Sequence, residues 1–333
     1  MPPTPAHIGY AAALDQFAPA EVLEFAEHAE RAGFRGVMAA DRFQPWVPTQ
    51  GQAAFAWTVL GALGQVTTGD LGTGMTVPSF RWHPAMVAQA SATLAALNPD
   101  RHWLGIGSGE AIDEHITGQY WPETAERINR MFEAVDVIHK LFTSSLAGRD
   151  TKHAGEYFTL ESTRLWTMPE SAPPILVGTS GPVTAKRAGR TVEGIIVDGA
   201  PIDRIASLFA RFDEGAREVG RGPGTRVLRL HLSWAPTDEE AMANAMREWP
   251  NGGLRFPRSD IRSPFEFEQL ARLVRPEDFE GRMVVSADTD VHRAAIQKHL
   301  DLGFDRIYLH NVGRNQRDWV DVFARDVLPG LVR

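Results

Sequence analysis

His102-Trp103-Leu104-Gly105-Ile106-Gly107-Ser108-Gly109-Glu110 is a strand-like run that stops in a glycine turn, and its place in the chain decides the fold. A dinucleotide fingerprint, G-x-G-x-x-G, would need its third glycine where Glu110 stands. It would also open the first βαβ unit of the chain, whereas this run is the fourth strand-like segment. What remains is a tight turn with exposed backbone N–H groups, suited to an anion such as phosphate. An ordinary strand-to-helix connection is the plainer reading of the same residues.

Outward from this run, strands and helices alternate. His7–Ala13, Gly36–Ala40 and Leu71–Val77 precede it as strand candidates; Pro174–Val177, Gly194–Val197, Val227–Trp234 and Arg306–His310 follow. Between them lie helical stretches such as Pro19–Ala32, Pro84–Leu97 and Asp203–Val219, with apolar residues at 3- and 4-residue spacing. The long helix Glu123–Phe142 leads into a first insertion, about 143–172, where Glu156–Leu160 and Arg164–Thr167 read as a hairpin. A second insertion, about 250–281, is rich in Pro, Arg and Phe, and Met283–Ser286 after it reads as an accessory segment. Strands that alternate with helices pair in parallel. Eight such units without a second composition regime predict one (β/α)₈ TIM barrel domain over residues 1–333; a doubly wound open sheet is the alternative.

Composition limits the partners. The formal charge is −8, from 42 acidic and 34 basic side chains with no long single-sign run, which argues against nucleic acid or an anionic membrane. No stretch approaches about 18 uninterrupted apolar residues, and Met1–Ala6 lacks the basic and apolar regions of a secretory signal. The expected location is the cytoplasm. With no cysteine, there is no thiolate ligand and no cysteine nucleophile.

A barrel places its chemistry at the C-terminal ends of its strands. That rule selects Asp41–Trp46, Gly74–Pro78, Gly105–Glu110, Gly178–Pro182 and Val197–Pro201. The Gly178-Thr179-Ser180-Gly181-Pro182 turn opens a helix and offers a second anion nest. Neither glycine turn satisfies the G-x-S-x-G nucleophile elbow, and no H-E-x-x-H is present, so no metal is expected. His102, His231 and His310 lie inside apolar runs and read as core residues, whereas Trp46 sits in a rim loop.

Four segments together resemble the glucose-6-phosphate dehydrogenase group of luciferase-like enzymes that use coenzyme F420. They are Ala40-Asp41-Arg42-Phe43-Gln44-Pro45-Trp46, Gly72-Thr73-Gly74-Met75-Thr76-Val77-Pro78, Gly105–Glu110 and Ser180-Gly181-Pro182. Gly9-Tyr10 with Asp15–Pro19, and Arg282–Asp288 with Gly303–Asp305, extend the likeness to both ends. The resemblance implies a deazaflavin at the barrel mouth. Asp41 would contact its ring, and Gly74, Met75 and Thr76 would form a bulge behind it, with a non-prolyl cis peptide. Gly107, Ser108, Gly109, Ser180, Gly181 and Pro182 would hold the phosphate-bearing tail. Trp46 and Glu110 would stand at the reacting carbon, Glu110 as a carboxyl whose pKa burial can raise.

Three departures bear on the substrate. Arg42 stands where the family has a histidine base, and arginine cannot take a proton. Val197 and Ala200 stand where the family has a threonine and a lysine, while Arg258 and Arg282 keep two of its cations. Asp15 replaces a longer glutamate. The expectation is an F420-dependent oxidoreductase acting on a small anionic molecule bound by Asp15, Arg42, Val197, Arg258 and Arg282. Reduction of a C=N or C=C bond, with Glu110 as acid, is favoured over sugar-phosphate or alcohol oxidation. A homodimer is expected. The rival readings are an FMN-dependent monooxygenase and a barrel that binds deazaflavin without turnover.

Overall fold

The computed structural model describes residues 6–333, so the reading of the first five residues lies outside it. Eleven strands are present: β1 (Ile8–Ala12), β2 (Gly36–Ala39), β3 (Asp70–Thr73), β4 (His102–Ile106), β5 (Thr151–Ala154), β6 (Thr159–Thr163), β7 (Ile175–Gly178), β8 (Gly194–Asp198), β9 (Thr225–Ser233), β10 (Val284–Val285) and β11 (Arg306–Asn311). Eight pair in parallel in the order β9-β11-β1-β2-β3-β4-β7-β8, and β8 returns to β9 to close the ring. The closed ring leaves its own strands no free edge, and β10 adds to β9 as the accessory segment. No helix among the described residues is long and apolar enough to cross a membrane.

The first insertion differs from expectation in register. Its hairpin is β5 against β6, so the segment read as its first strand supplies the second. The helix before it, α5 (Thr124–Leu146), also runs one turn further than predicted. The third strand stops at Thr73 rather than Val77; the cis peptide Gly74-Met75 follows it, and Thr76 rejoins β4 as a single parallel bridge to Ile106.

Side chains alternate between the two faces of each barrel strand. On β9, Leu228, Leu230 and Leu232 point outward into the main core under the helices, while Val227 joins the inner cluster. That inner cluster, with Ala11, Met38, Trp103, Leu176, Ile196 and Tyr308, fills the lower barrel. Its aromatic rings need glycine opposite them: a Cβ at Gly72 would fall 1.9 Å from Trp103, and one at Gly9 2.4 Å from Tyr308. Trp103 Nε1 donates to Tyr308 Oη (3.1 Å), and Tyr308 Oη donates to Asp70 (2.7 Å). With the N-terminal half plugged, open space is left only toward the C-terminal rim. The second insertion roofs that rim through its own apolar cluster, in which Phe267, Phe279 and Leu254 pack with Trp46 and Trp249.

Candidate active site

The rim is organised around the Gly74-Met75 bulge. Gly74 N donates to Ala39 O (2.8 Å), Thr76 N to Gly105 O (2.9 Å) and Gly107 N to Thr76 O (2.9 Å), so β2, the bulge and β4 are stitched together. Arg229, on β9, clamps the bulge from across the barrel. Its Nη1 donates to Gly74 O (2.6 Å), while Nε and Nη2 hold both oxygens of Asp198 at 2.8 and 2.9 Å.

Asp41 follows β2. Its N–H donates to Met75 O (3.2 Å), and its Oδ2 accepts from Thr76 Oγ1 (2.6 Å). Its other oxygen is buried and makes no hydrogen bond, lying 3.6 Å from Arg81 Nη1. Burial raises the Asp41 pKa, and the Arg81 charge opposes the rise.

Arg42 lies flat on Trp46, with its guanidinium carbon 3.8 Å from the ring centre. It also stands 3.2 Å from Asp113 and 3.7 Å from Glu110. Glu110 is about one-third exposed (32 %). Removal from water raises its pKa, against the charges of Arg42 and Arg258. Asp15, on the turn after β1, is buried at the cavity wall. Its pKa rises for the same reason, opposed first by Arg42.

The two glycine turns are neighbours because β4 pairs with β7 in the register Ile106↔Val177. Among the described residues, the N–H groups of Ser108, Gly109, Glu110 and Ser180 have no hydrogen-bond partner in the chain. Gly109 has φ +89°, which a side chain would strain. Helix α6 (Pro182–Thr191) opens directly from the second turn with a proline, which has no N–H to satisfy, and Ala185 N donates back to Gly181 O (2.9 Å). Met75 packs against both turns: a Cβ on Gly107 would stand 3.5 Å from its Sδ, and one on Gly178 only 1.5 Å.

These residues fit a flat ring with a phosphate-bearing tail. Free N–H groups and glycine-lined space suit the tail, and Asp41 offers a buried polar atom without a partner beside the bulge. Below the roof, Asp15, Arg42, Trp46, Arg229, His231, Trp249 and His310 line a small, partly open cavity.

Two expectations need correction. Val197 is buried in the outer core, because its neighbour Asp198 takes the position that meets Arg229 at the rim; it does not line the cavity. His231 and His310 are not core packing residues but cavity walls, whereas His102 is a core residue, bonded to Ser91 (2.9 Å) and Leu71 O (2.9 Å). Of the two expected cations, Arg258 reaches the Trp46 ring (4.9 Å), while Arg282 is exposed and held by Leu254 O (2.8 Å). Arg229, Asp113, Asp198 and Trp249 escaped the sequence reading. The alternation Arg229-Leu230-His231-Leu232 carries the signal, since its polar members share the inward face at a strand end.

A family model described as luciferase-like monooxygenase matches residues 3–306. The chain belongs to the luciferase-like family. Among curated members, the F420-dependent glucose-6-phosphate dehydrogenase of Microbacterium testaceum is 33% identical, with 98% of each chain covered. That of Tsukamurella paurometabola is 34% identical, with 97% of each covered. Among solved structures, an F420-dependent secondary alcohol dehydrogenase in complex with an F420-acetone adduct superposes with TM-score 0.91. It is 29% identical and covers 97% of this chain and 98% of that one. A coenzyme F420-dependent tetrahydromethanopterin reductase from Methanopyrus kandleri shares the fold, with TM-score 0.80 at 18% identity over 98% of this chain and 99% of its own.

Proposed function

We propose that this luciferase-like barrel is an F420-dependent oxidoreductase that interconverts a small alcohol and its carbonyl compound. The observation that carries the proposal is the placement of two glycine turns with free N–H groups beside the Gly74-Met75 bulge, in a barrel whose cavity wall carries Asp15, Arg42, Arg229, His231 and His310. Asp41, Gly74, Met75 and Thr76 would hold the deazaflavin ring. Gly107, Ser108, Gly109, Ser180, Gly181 and Pro182 would hold its tail. When bound, the deazaflavin accepts or donates a hydride.

The chain's own side chains orient the substrate and manage its proton. Trp46, wedged between Arg42 and the roof, is a rigid wall. Burial raises the pKa of both Asp15 and Glu110, which makes each a better holder of a proton than an exposed carboxylate. The reductase reading of the sequence rests on Glu110 as acid and on Arg42, Arg258 and Arg282 as anchors for an anionic substrate. In the structure both cations of the cavity wall are already engaged, Arg42 by Glu110 and Asp113 and Arg229 by Asp198. A neutral hydroxyl or carbonyl suits the cavity better. The single domain over residues 1–333, a cytoplasmic location and a homodimer belong to the same proposal.

Anaerobic assays with purified protein test it. Oxidised F420 is mixed with small secondary alcohols and sugar phosphates, and reduced F420 with ketones and unsaturated acids. Hydride transfer between F420 and an alcohol–ketone pair is expected. Oxygen consumption with reduced FMN, and no F420 turnover in either direction, would contradict it.

A further inference from the structure

We infer that His231 and His310 act as one proton-transfer unit for the substrate hydroxyl, an assignment that rests on the alcohol–carbonyl reading above. The two residues are register partners on adjacent parallel strands, β9 and β11, and both project into the cavity. Their Nδ1 atoms are 2.8 Å apart. Trp249 closes over both rings, with centroids 4.6 Å from His231 and 4.7 Å from His310.

Two imidazoles joined through Nδ1 have a fixed logic. One ring must donate its Nδ1–H and the other must accept, so the donor ring keeps an unprotonated Nε2 and the acceptor ring an Nε2–H. The pair therefore presents one acceptor and one donor to its surroundings. Burial and the neighbouring arginines disfavour a net positive charge on it. Burial lowers His310 to about 3 and His231 well below its ordinary value. Arg229, two residues earlier on the same strand, opposes the charging of both, and Arg258 from the roof opposes that of His231. The other proton-exchanging group on the cavity wall is Asp15, while Arg42 and Arg229 stay cations.

The proton balance closes without charging either ring. In the oxidising direction the substrate O–H gives its proton to the free Nε2. The Nδ1 proton of that ring crosses the 2.8 Å hydrogen bond, and the second ring releases its Nε2 proton to water. The C–H electron pair leaves as hydride to the deazaflavin oxidant, and C=O forms. Afterwards the two rings have exchanged tautomers, and the reverse sequence serves reduction. A single neutral imidazole would become a buried cation in the same step, next to Arg229.

The test uses the full chain with propan-2-ol and oxidised F420, and acetone with reduced F420. His231→Gln and His310→Gln keep hydrogen-bonding capacity but cannot relay a proton. Each is expected to lower kcat about a hundred-fold or more while KM and F420 affinity stay unchanged. The double variant is expected to be no slower than the worse single one, as for residues acting as a unit. Nitrogen NMR of the unsubstituted protein with labelled histidine provides a readout independent of turnover. It should show both rings neutral near pH 7 and in opposite tautomers. An imidazolium at either position, full kcat in either Gln variant, or no turnover of the probes by protein that binds F420 overturns the inference. Failure of the unsubstituted protein to bind F420 overturns instead the coenzyme reading on which it rests.

Discussion

Arg81→Met is expected to destabilise the fold by about 3–5 kcal/mol, because it removes the cation that faces two buried carboxyl groups. Arg81 is 3 % exposed and its carboxylates are fully buried; its Nε donates to Glu114 Oε1 (2.9 Å) and its Nη1 stands 3.6 Å from Asp41. Its Nη2 also donates to Asp41 O (2.9 Å), so the substitution frees the loop that carries Asp41. The effect has a pH signature. Burial lifts Glu114 from 4.5 to about 7 and raises Asp41, while Arg81 pulls both down. A carboxyl with a raised folded value contributes stability that is present below its unfolded value and lost as the pH rises through the folded one. Without Arg81 the folded values rise further, so the cost of the substitution is larger at pH ~8 and shrinks toward pH ~5, as Glu114 takes up its proton. Urea denaturation of both proteins at the two pH values checks this. A cost below about 1 kcal/mol at the higher pH, or one that does not change with pH, would show that the Arg81 cluster does not hold the rim.

Gly178→Val is expected to weaken F420 binding about ten- to a hundred-fold, from roughly 1–3 kcal/mol of overpacking. The new Cβ would fall 1.5 Å from Met75 Sδ and 2.6 Å from its Cε. Met75 can only swing toward Gly107 or back into the bulge, since the barrel interior beneath it is filled by Met38, Trp103 and Ile196. Either move invades the space assigned to the coenzyme. Gly178→Ala combined with Met75→Ala should recover part of the loss that Gly178→Ala alone causes, because the clash is specific to that pair. Fluorescence titration of the folded variants measures both quantities. Unchanged affinity in Gly178→Val would move the coenzyme away from this rim.

The barrel was legible in the sequence because each strand is a short apolar run followed by a helix with its own stop signal. The accessory status of the segment after the second insertion was legible for the same reason. Boundaries at the site were less so. Nothing local in Thr73-Gly74-Met75 announces that the ladder ends there, since the bonds that hold the bulge come from Ala39, Gly105 and Arg229, remote in sequence. The glycine turns could be read as anion nests from composition alone, but their adjacency follows from the β4–β7 pairing. The histidines were misplaced because Leu230, Leu232 and Leu309 surround them, and an apolar run conceals the inward face of a strand whose lower half is core. Val197 was misplaced by one residue, which on a strand reverses the side to which a side chain points.

The central claim, that this rim holds a deazaflavin, is tested most directly by fluorescence titration of the unsubstituted protein with F420 and, separately, with FMN. The account predicts saturable, tight binding of F420 and much weaker binding of FMN. Tight binding of FMN with none of F420 would contradict it, assign the bulge and glycine turns to a flavin, and remove the ground for hydride exchange with a deazaflavin.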